Sequence, residues 1–307
     1  MTAVDPRPSL PRPHILVVNG RKVHEPVFVI GAPHSGTDLL ASALKRSDGF
    51  HVTLGHRWVS PVVQGFARNP SIARGRQEAA ATVLRDAFAQ GWQVGPHSCL
   101  GCAPRCRAAS GVTGASPCVA QRAITRYGDA TPELLYCAES LVDAFGDARL
   151  VQVIRDGRDV TAAMLADNEA LAWFKPGVLN LAAQTTHPLL GVETELDQRR
   201  WPGLSLAAKC AMRWRHAVRI AARLRGQFST QQLMTLRYEE MISDPAGAVS
   251  AVSAFTGAAV APLATGVAGT LLEPEMWRRQ LSPGQLADVD KVAGEELRRV
   301  GYGADPS

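Results

Sequence analysis

Two short apolar runs, each leading through a polar turn into a helical stretch, restrict the fold of this chain more than any other feature. The first is Pro26-Val-Phe-Val-Ile30, which ends at Gly31 and Pro33 and reads as a buried strand. Apolar residues at 39, 40, 43 and 44 then recur at helical spacing. The second run, Leu150-Val-Gln-Val-Ile154, precedes Arg155-Asp-Gly-Arg-Asp159 and another helical segment. Leu233 to Leu236 reads as a further strand, and helical patterns cover about 204–224, 245–256 and 283–300. Glu133 to Phe145 places Leu134, Leu135, Ala138, Leu141, Val142 and Phe145 on one helical face. Strands alternating with helices predict an α/β fold, a central parallel sheet covered on both faces.

The remaining chain is less patterned. Residues 91–128 are rich in Gly, Ser, Pro and Cys and read as a long excursion, and 60–125 and 170–203 are expected to be largely irregular. Met1 to Pro13 carries four prolines and no apolar core of a signal sequence, so a loose arm over 1–20 and a cytoplasmic location are expected. No run of eighteen apolar residues is present, which predicts no membrane span. With 33 basic and 28 acidic residues the net charge is only +5, which suits a small anionic ligand better than a nucleic acid.

Gly31-Ala-Pro-His-Ser-Gly-Thr37 lies between the first strand and its helix. Backbone N–H groups in such a turn, together with a helix N-terminus, make an anion site. The spacing fits GxxxxGK[ST], but Thr37 occupies the lysine position, which argues against an ordinary ATPase. A tight glycine turn without a ligand is the plain alternative. For Arg155-Asp-Gly-Arg-Asp159 the plain alternative is a solvated cluster capping a helix.

Taken together, these motifs resemble those of sulfotransferases that use 3′-phosphoadenosine 5′-phosphosulfate (PAPS). Pro33, Ser35, Gly36 and Thr37 are similar to the family's loop for the 5′-phosphosulfate. The strand leading into Arg155 resembles its 3′-phosphate segment, distantly similar to that of tyrosylprotein sulfotransferases. Tyr127-Gly-Asp-Ala-Thr-Pro132, Leu236-Arg-Tyr-Glu-Glu240 and Trp277-Arg-Arg-Gln-Leu-Ser-Pro283 are similar to three further family segments, in the same order. The resemblance implies a P-loop-like, three-layer α/β/α domain over 21–307, with the cysteine-rich stretch 91–128 as an insertion. It also implies PAPS as donor and the bisphosphate PAP as product.

By the same resemblance Pro33, His34, Ser35, Gly36, Thr37, Asp38 and Arg155 bind the donor, with Arg278 and Arg279 as supporting cations. His34 stands where the family has lysine or arginine, Ala130 where it has lysine, and Ala163 where it has serine. His34 would therefore have to be protonated to assist the leaving phosphate. The family's base lies about twenty residues beyond the loop, which makes His56 the candidate base, ahead of His51 and His97; a histidine without catalytic duty is the alternative. The acceptor is expected to be a hydroxyl or amine of a small molecule or carbohydrate. A non-catalytic PAP- or PAPS-binding protein, or a divergent P-loop kinase, are the competing functions. Cys99, Cys102, Cys106 and Cys118 could form a structural zinc site, disulfides, or stay free thiols. Oligomeric state is not readable.

Overall fold

The computed structural model describes residues 15–69, 77–175, 187–264 and 273–303. A small antiparallel hairpin, β1 (Val17–Val18) and β2 (Arg21–Lys22), precedes the main sheet. That sheet consists of β3 (Val27–Gly31), β4 (Phe50–Thr53), β5 (Arg126–Asp129), β6 (Arg149–Ile154) and β7 (Leu233–Arg237). It has the order β4-β5-β3-β6-β7 with every neighbouring pair parallel.

The helices follow in chain order. The first half holds α1 (Thr37–Arg46), α2 (Ser60–Arg68), α3 (Gln77–Gly91), α4 (Pro104–Ala109) and α5 (Ala138–Ala144). The second half holds α6 (Gly157–Leu165), α7 (Asn168–Ala172), α8 (Glu195–Arg200), α9 (Leu206–Gln227) and α10 (Tyr238–Ser243). After these come α11 (Pro245–Thr256), α12 (Trp277–Gln280) and α13 (Pro283–Arg299).

Alternation along the strands builds three layers. Phe28 and Ile30 of β3 face a core that contains Phe88, Trp92, Leu141 and Trp214, whereas Val27 and Val29 face one with Leu40, Leu44, Met241 and Val252. In β6, Leu150 and Ile154 join the first core, and Val151 and Val153 the second. Both faces are thus covered by helices, which is why these strands read as continuous apolar runs. The first core is centred on tilted, closely packed aromatics, with Phe88 and Trp92 ring centroids 4.9 Å apart and Trp92 and Tyr127 5.2 Å apart. Trp92 Nε1 also donates to the Gly128 carbonyl at 3.0 Å and so ties α3 to β5.

Several sequence expectations need correction. Within the stretch from 60 onward that was expected to be irregular, 60–68 and 77–91 form α2 and α3, which bury Val63, Phe66, Leu84 and Phe88. The helix expected over 133–145 is divided into a 3-10 turn, Leu134–Cys137, and α5, with Cys137 leaving the helical region between them at φ −109° and ψ 4°. In the expected arm, residues 1–14 lie outside the described residues, and Val18 of β1 is fully buried. Of the stretch 170–203, residues 187–203 carry α8 and short turns, and 176–186 lie outside the described residues. Among the described residues no helix is long and apolar enough to cross a membrane.

Candidate active site

The chain leaves β3 toward β4 on one side and leaves β6 toward β7 on the other. The loops after β3 and β6 therefore diverge and open a crevice at the carboxyl edge of the sheet, where ligands bind in open α/β folds. A cavity of about 850 Å³ lies there. It is lined by the Gly31–Asp38 turn, Arg155, the Ala130–Leu134 segment, Asp167, Arg213 and Tyr238.

The turn is shaped by close packing. A side chain on Gly31 would meet the Val153 carbonyl at 2.7 Å, and Gly36 has a φ of 95° with the Tyr238 ring where a Cβ would stand. Ser35 is fully buried, and its hydroxyl donates to the Ala32 carbonyl at 2.7 Å. His34 also adopts a positive φ, 59°, a strained choice for a residue with a side chain. Its Nε2 stands 3.1 Å from Asp167 Oδ2. Burial is the largest influence on His34 and pulls its pKa below the ordinary value, while Asp167 opposes this.

Arg155 follows β6 and is only 2% exposed, so the solvated-cluster alternative does not hold. Its Nη1 donates to the His34 carbonyl at 3.2 Å, and its guanidinium lies 4.2 Å over the Tyr238 ring. The rest of Arg155-Asp-Gly-Arg-Asp159 is structural. Asp156 caps α6 by accepting from the Arg158 N–H at 2.8 Å, and Gly157 leaves room for the Trp214 ring. Asp159 is buried and accepts the N–H groups of Glu275 and Trp277, both at 2.9 Å, which fastens the C-terminal segment to α6.

Not every expected site residue reaches the cavity. His56 is buried under Gly101 and Gly91 and does not line it; its ring is held by packing and by the Ser98 carbonyl. Arg278 pairs with Glu275 and stacks on Trp277, and Arg279 pairs with Glu273; neither lines the cavity. His51 and His97 are also absent from its walls. The zinc expectation is corrected as well: among the described residues no group of three or more His, Cys, Asp or Glu could hold a metal. The Lys45 ammonium lies beside this segment instead and donates to Cys118 Sγ at 3.2 Å. The disulfide alternative is not realised either, since all six cysteines are free.

Arg213, Arg105 and Asp167 are among the charged residues that line the cavity but that sequence reading did not single out. Arg213 of α9 is 1% exposed and bonds Glu133 at 2.7 Å. Arg105 of α4 faces Asp38 at 3.4 Å and donates to the Leu54 carbonyl at 3.0 Å. Asp167 is the partner of His34. An arginine on the Ala-rich, otherwise apolar face of a helix was the available signal for Arg213.

Asp129, at the end of β5, supports the segment that carries Glu133. It is fully buried, bonds Thr53 Oγ1, and accepts the Thr131 N–H at 2.6 Å. Burial pushes its pKa up to about 6. A carboxyl that holds its proton more tightly when folded penalises the fold as pH rises from about 4 to about 6, by about 3 kcal/mol if the whole shift counts. Asp129→Asn removes the titration; its amide oxygen still accepts the Thr131 N–H, while its NH2 donates to Thr53 Oγ1 where the carboxylate accepted. Its melting temperature is expected to gain on that of the native protein across that interval and to run parallel to it above; parallel curves throughout would contradict this.

A family model described as "Sulfotransferase family" matches residues 26–262. Similar solved structures include a sulfotransferase from Alicyclobacillus acidocaldarius, 17% identical, covering 91% of this chain and 96% of that one, with a TM-score of 0.46. The sulfotransferase domain from the Synechococcus PCC 7002 olefin synthase is 14% identical and covers 89% and 94%, with a TM-score of 0.46. A mouse sulfotransferase complexed with PAP is 13% identical and covers 91% and 87%, with a TM-score of 0.41. No curated protein sequence matches significantly. We rest the assignment on the family match.

Proposed function

The chain belongs to the sulfotransferase family, and from that premise we propose that it moves a sulfuryl group from PAPS to a hydroxyl or amine of a small-molecule or carbohydrate acceptor. The observation that carries this reading is Arg155, a buried guanidinium bonded to the glycine turn at the crevice of the sheet. Two anion-binding elements converge there, as a nucleotide with phosphates at both ends of its ribose requires.

Arg155 is placed to hold the 3′-phosphate through a forked and permanently charged group. The backbone N–H groups of the 34–37 turn and the start of α1 suit the 5′-phosphosulfate. The donor supplies the sulfuryl group; the acceptor oxygen or nitrogen forms the new bond to sulfur, and the bond from sulfur to the 5′-phosphate breaks. His34, in the cation position, gives a proton or charge to that departing oxygen. Asp167 keeps the imidazole oriented. With His56 outside the cavity, the acceptor's proton passes to a carboxylate on its wall, Glu133 or Glu169.

Because burial keeps the free His34 largely neutral near pH 7, closing a dianion against it is expected to draw a proton in. Arg213 opposes that charge, while Asp167 and Asp38 favour it. PAP binding should therefore take up protons near neutral pH and weaken as pH rises. Calorimetry in two buffers of different ionisation enthalpy reads the uptake, and identical heats in both would contradict it.

Turnover tests the proposal itself. PAPS is supplied with a panel of phenols, alcohols and amino sugars, and PAP and sulfated product are measured together. Equimolar product and PAP, rising on the order of tenfold in His34→Lys, are expected. Tight PAP binding with no turnover by either protein would favour a donor-binding protein that has lost the chemistry.

A further inference from the structure

A reaction that moves a sulfuryl group needs positive charge beside the group that moves, and the glycine turn supplies little of it. Thr37 occupies the lysine position of the turn, and burial pulls the pKa of His34 below its ordinary value. Lys45 of α1 is turned away: its Nζ donates to the Val52 carbonyl at 2.8 Å and to Cys118 Sγ at 3.2 Å. Among the described residues no lysine lines the cavity, so its permanent positive charge comes from Arg46, Arg105, Arg155 and Arg213.

Three of these arginines are committed elsewhere. Arg155 serves the 3′-phosphate in the proposed function. Arg213 is 1% exposed and bonded to Glu133 at 2.7 Å. Arg46 lies at the far end of α1, about 12 Å along the helix from Asp38, and donates to the Pro262 carbonyl at 2.9 Å. Arg105 differs in both place and access. It faces the first turn of α1, with Nη1 3.4 Å from Asp38 Oδ2, and its side chain is 36% exposed.

The Arg105 side chain is also held in position. Its Nε donates to the Leu54 carbonyl at 3.0 Å, which fixes the guanidinium just beyond the end of β4. The Ala103 N–H donates to the Gly55 carbonyl and the Arg57 N–H to the Gly101 carbonyl, both at 2.8 Å. These bonds pin the cysteine-rich segment to the loop after β4. Gly55, at a φ of 86°, permits the close approach: a Cβ there would stand 3.4 Å from both the Ala103 Cβ and Arg105 Nη2. Asp38, by contrast, is a loose partner. Its two oxygens lie 3.5 and 3.4 Å from Nη1, longer than a charge-assisted hydrogen bond, and its side chain is 48% exposed. Such a half-exposed pair contributes little and yields to a better-placed anion.

We propose that Arg105, carried to the cavity by the cysteine-rich segment, is a catalytic residue that binds the oxygens of the transferring sulfuryl group. It places beside the glycine turn the permanent charge that the turn lacks. The acceptor oxygen or nitrogen forms its bond to sulfur as the bond from sulfur to the 5′-phosphate oxygen breaks. The acceptor's proton passes to a wall carboxylate, and Arg105 stays protonated throughout. Asp38 holds the guanidinium beside the turn until the sulfuryl oxygens take its place. This inference rests on the sulfotransferase reading and adds to it a residue from outside the two phosphate-binding motifs.

PAP lacks the sulfuryl group, so comparing PAPS with PAP isolates this contact. Titration calorimetry of the full chain without acceptor should show PAPS binding about tenfold more tightly than PAP. In Arg105→Met that preference should fall to near unity, with PAP affinity within about twofold of the native value and the melting temperature unchanged. Arg105→Lys should keep part of the preference, because charge remains but the fork does not. With an acceptor that is turned over, kcat should fall on the order of a hundredfold in Arg105→Met. Equal affinity of the native protein for PAPS and PAP would overturn the inference, as would a preference that survives in folded Arg105→Met. Equal loss of both ligands would make Arg105 a structural residue and overturn it too. In each of these cases the donor site itself stands. A native protein that binds neither nucleotide would instead remove the proposed function, and this inference with it.

Discussion

Arg155→Ala is expected to lower the affinity for PAP by on the order of a hundredfold while leaving the fold in place. A hydrogen bond to a charged group contributes about 1.5–3 kcal/mol, and a forked guanidinium offers two toward one phosphate. The side chain sits at the crevice, bonded to the His34 carbonyl and stacked on Tyr238, so its loss also loosens the turn that forms the other half of the site. The helix behind it loses one buried ion pair, Arg155 to Asp159 at 3.7 Å, but keeps its other ties. Asp159, its buried neighbour, keeps the N–H groups of Glu275 and Trp277, and Asp156 keeps its cap on α6. Arg155→Lys retains charge but not the fork and should fall between the native protein and the alanine variant. Titration calorimetry with a melting curve separates the effects; unchanged affinity in a folded Arg155→Ala protein would remove this residue from the donor site.

The second large effect concerns Gly36. Its φ of 95° costs a residue with a side chain roughly 1–2 kcal/mol, and overpacking against the Tyr238 ring adds roughly 1–3 kcal/mol. Gly36→Ala is therefore expected to lose about 2–5 kcal/mol of stability and nearly all PAP binding, since the ring it displaces is the one on which Arg155 stacks. Chemical denaturation measures the first and calorimetry the second. Native-like values for both would mean that the turn is far more pliable than its packing indicates.

Much of this architecture could be read from the residues because β3 and β6 are covered on both faces and spell out apolar runs. β5 could not: Arg126-Tyr-Gly-Asp129 has no strand pattern, and its place between β4 and β3 comes from pairing and from the bond that Trp92 makes to Gly128. The spacing of Ala80, Ala81, Leu84, Ala87 and Phe88 in α3 is helical, but it lies in an alanine-rich stretch where small residues blur the apolar face. The same division holds for the site. Gly36 and Arg155 belong to local turns whose geometry is carried by adjacent residues. Asp167, Arg105 and Arg213 reach the cavity from three separate elements, and no local spacing records that. His56 shows the converse: its distance from the loop in sequence suited a base, yet its ring packs beneath Gly101, away from the cavity.

The measurement that tests the central claim most directly is calorimetric titration of the native protein with PAP and, in parallel, with ATP. We expect PAP to bind at least about tenfold more tightly than ATP, because the site offers a buried arginine for a 3′-phosphate and no lysine in the turn for a γ-phosphate. Equal or tighter binding of ATP would contradict the assignment of Arg155 and the 31–37 turn to a PAPS site.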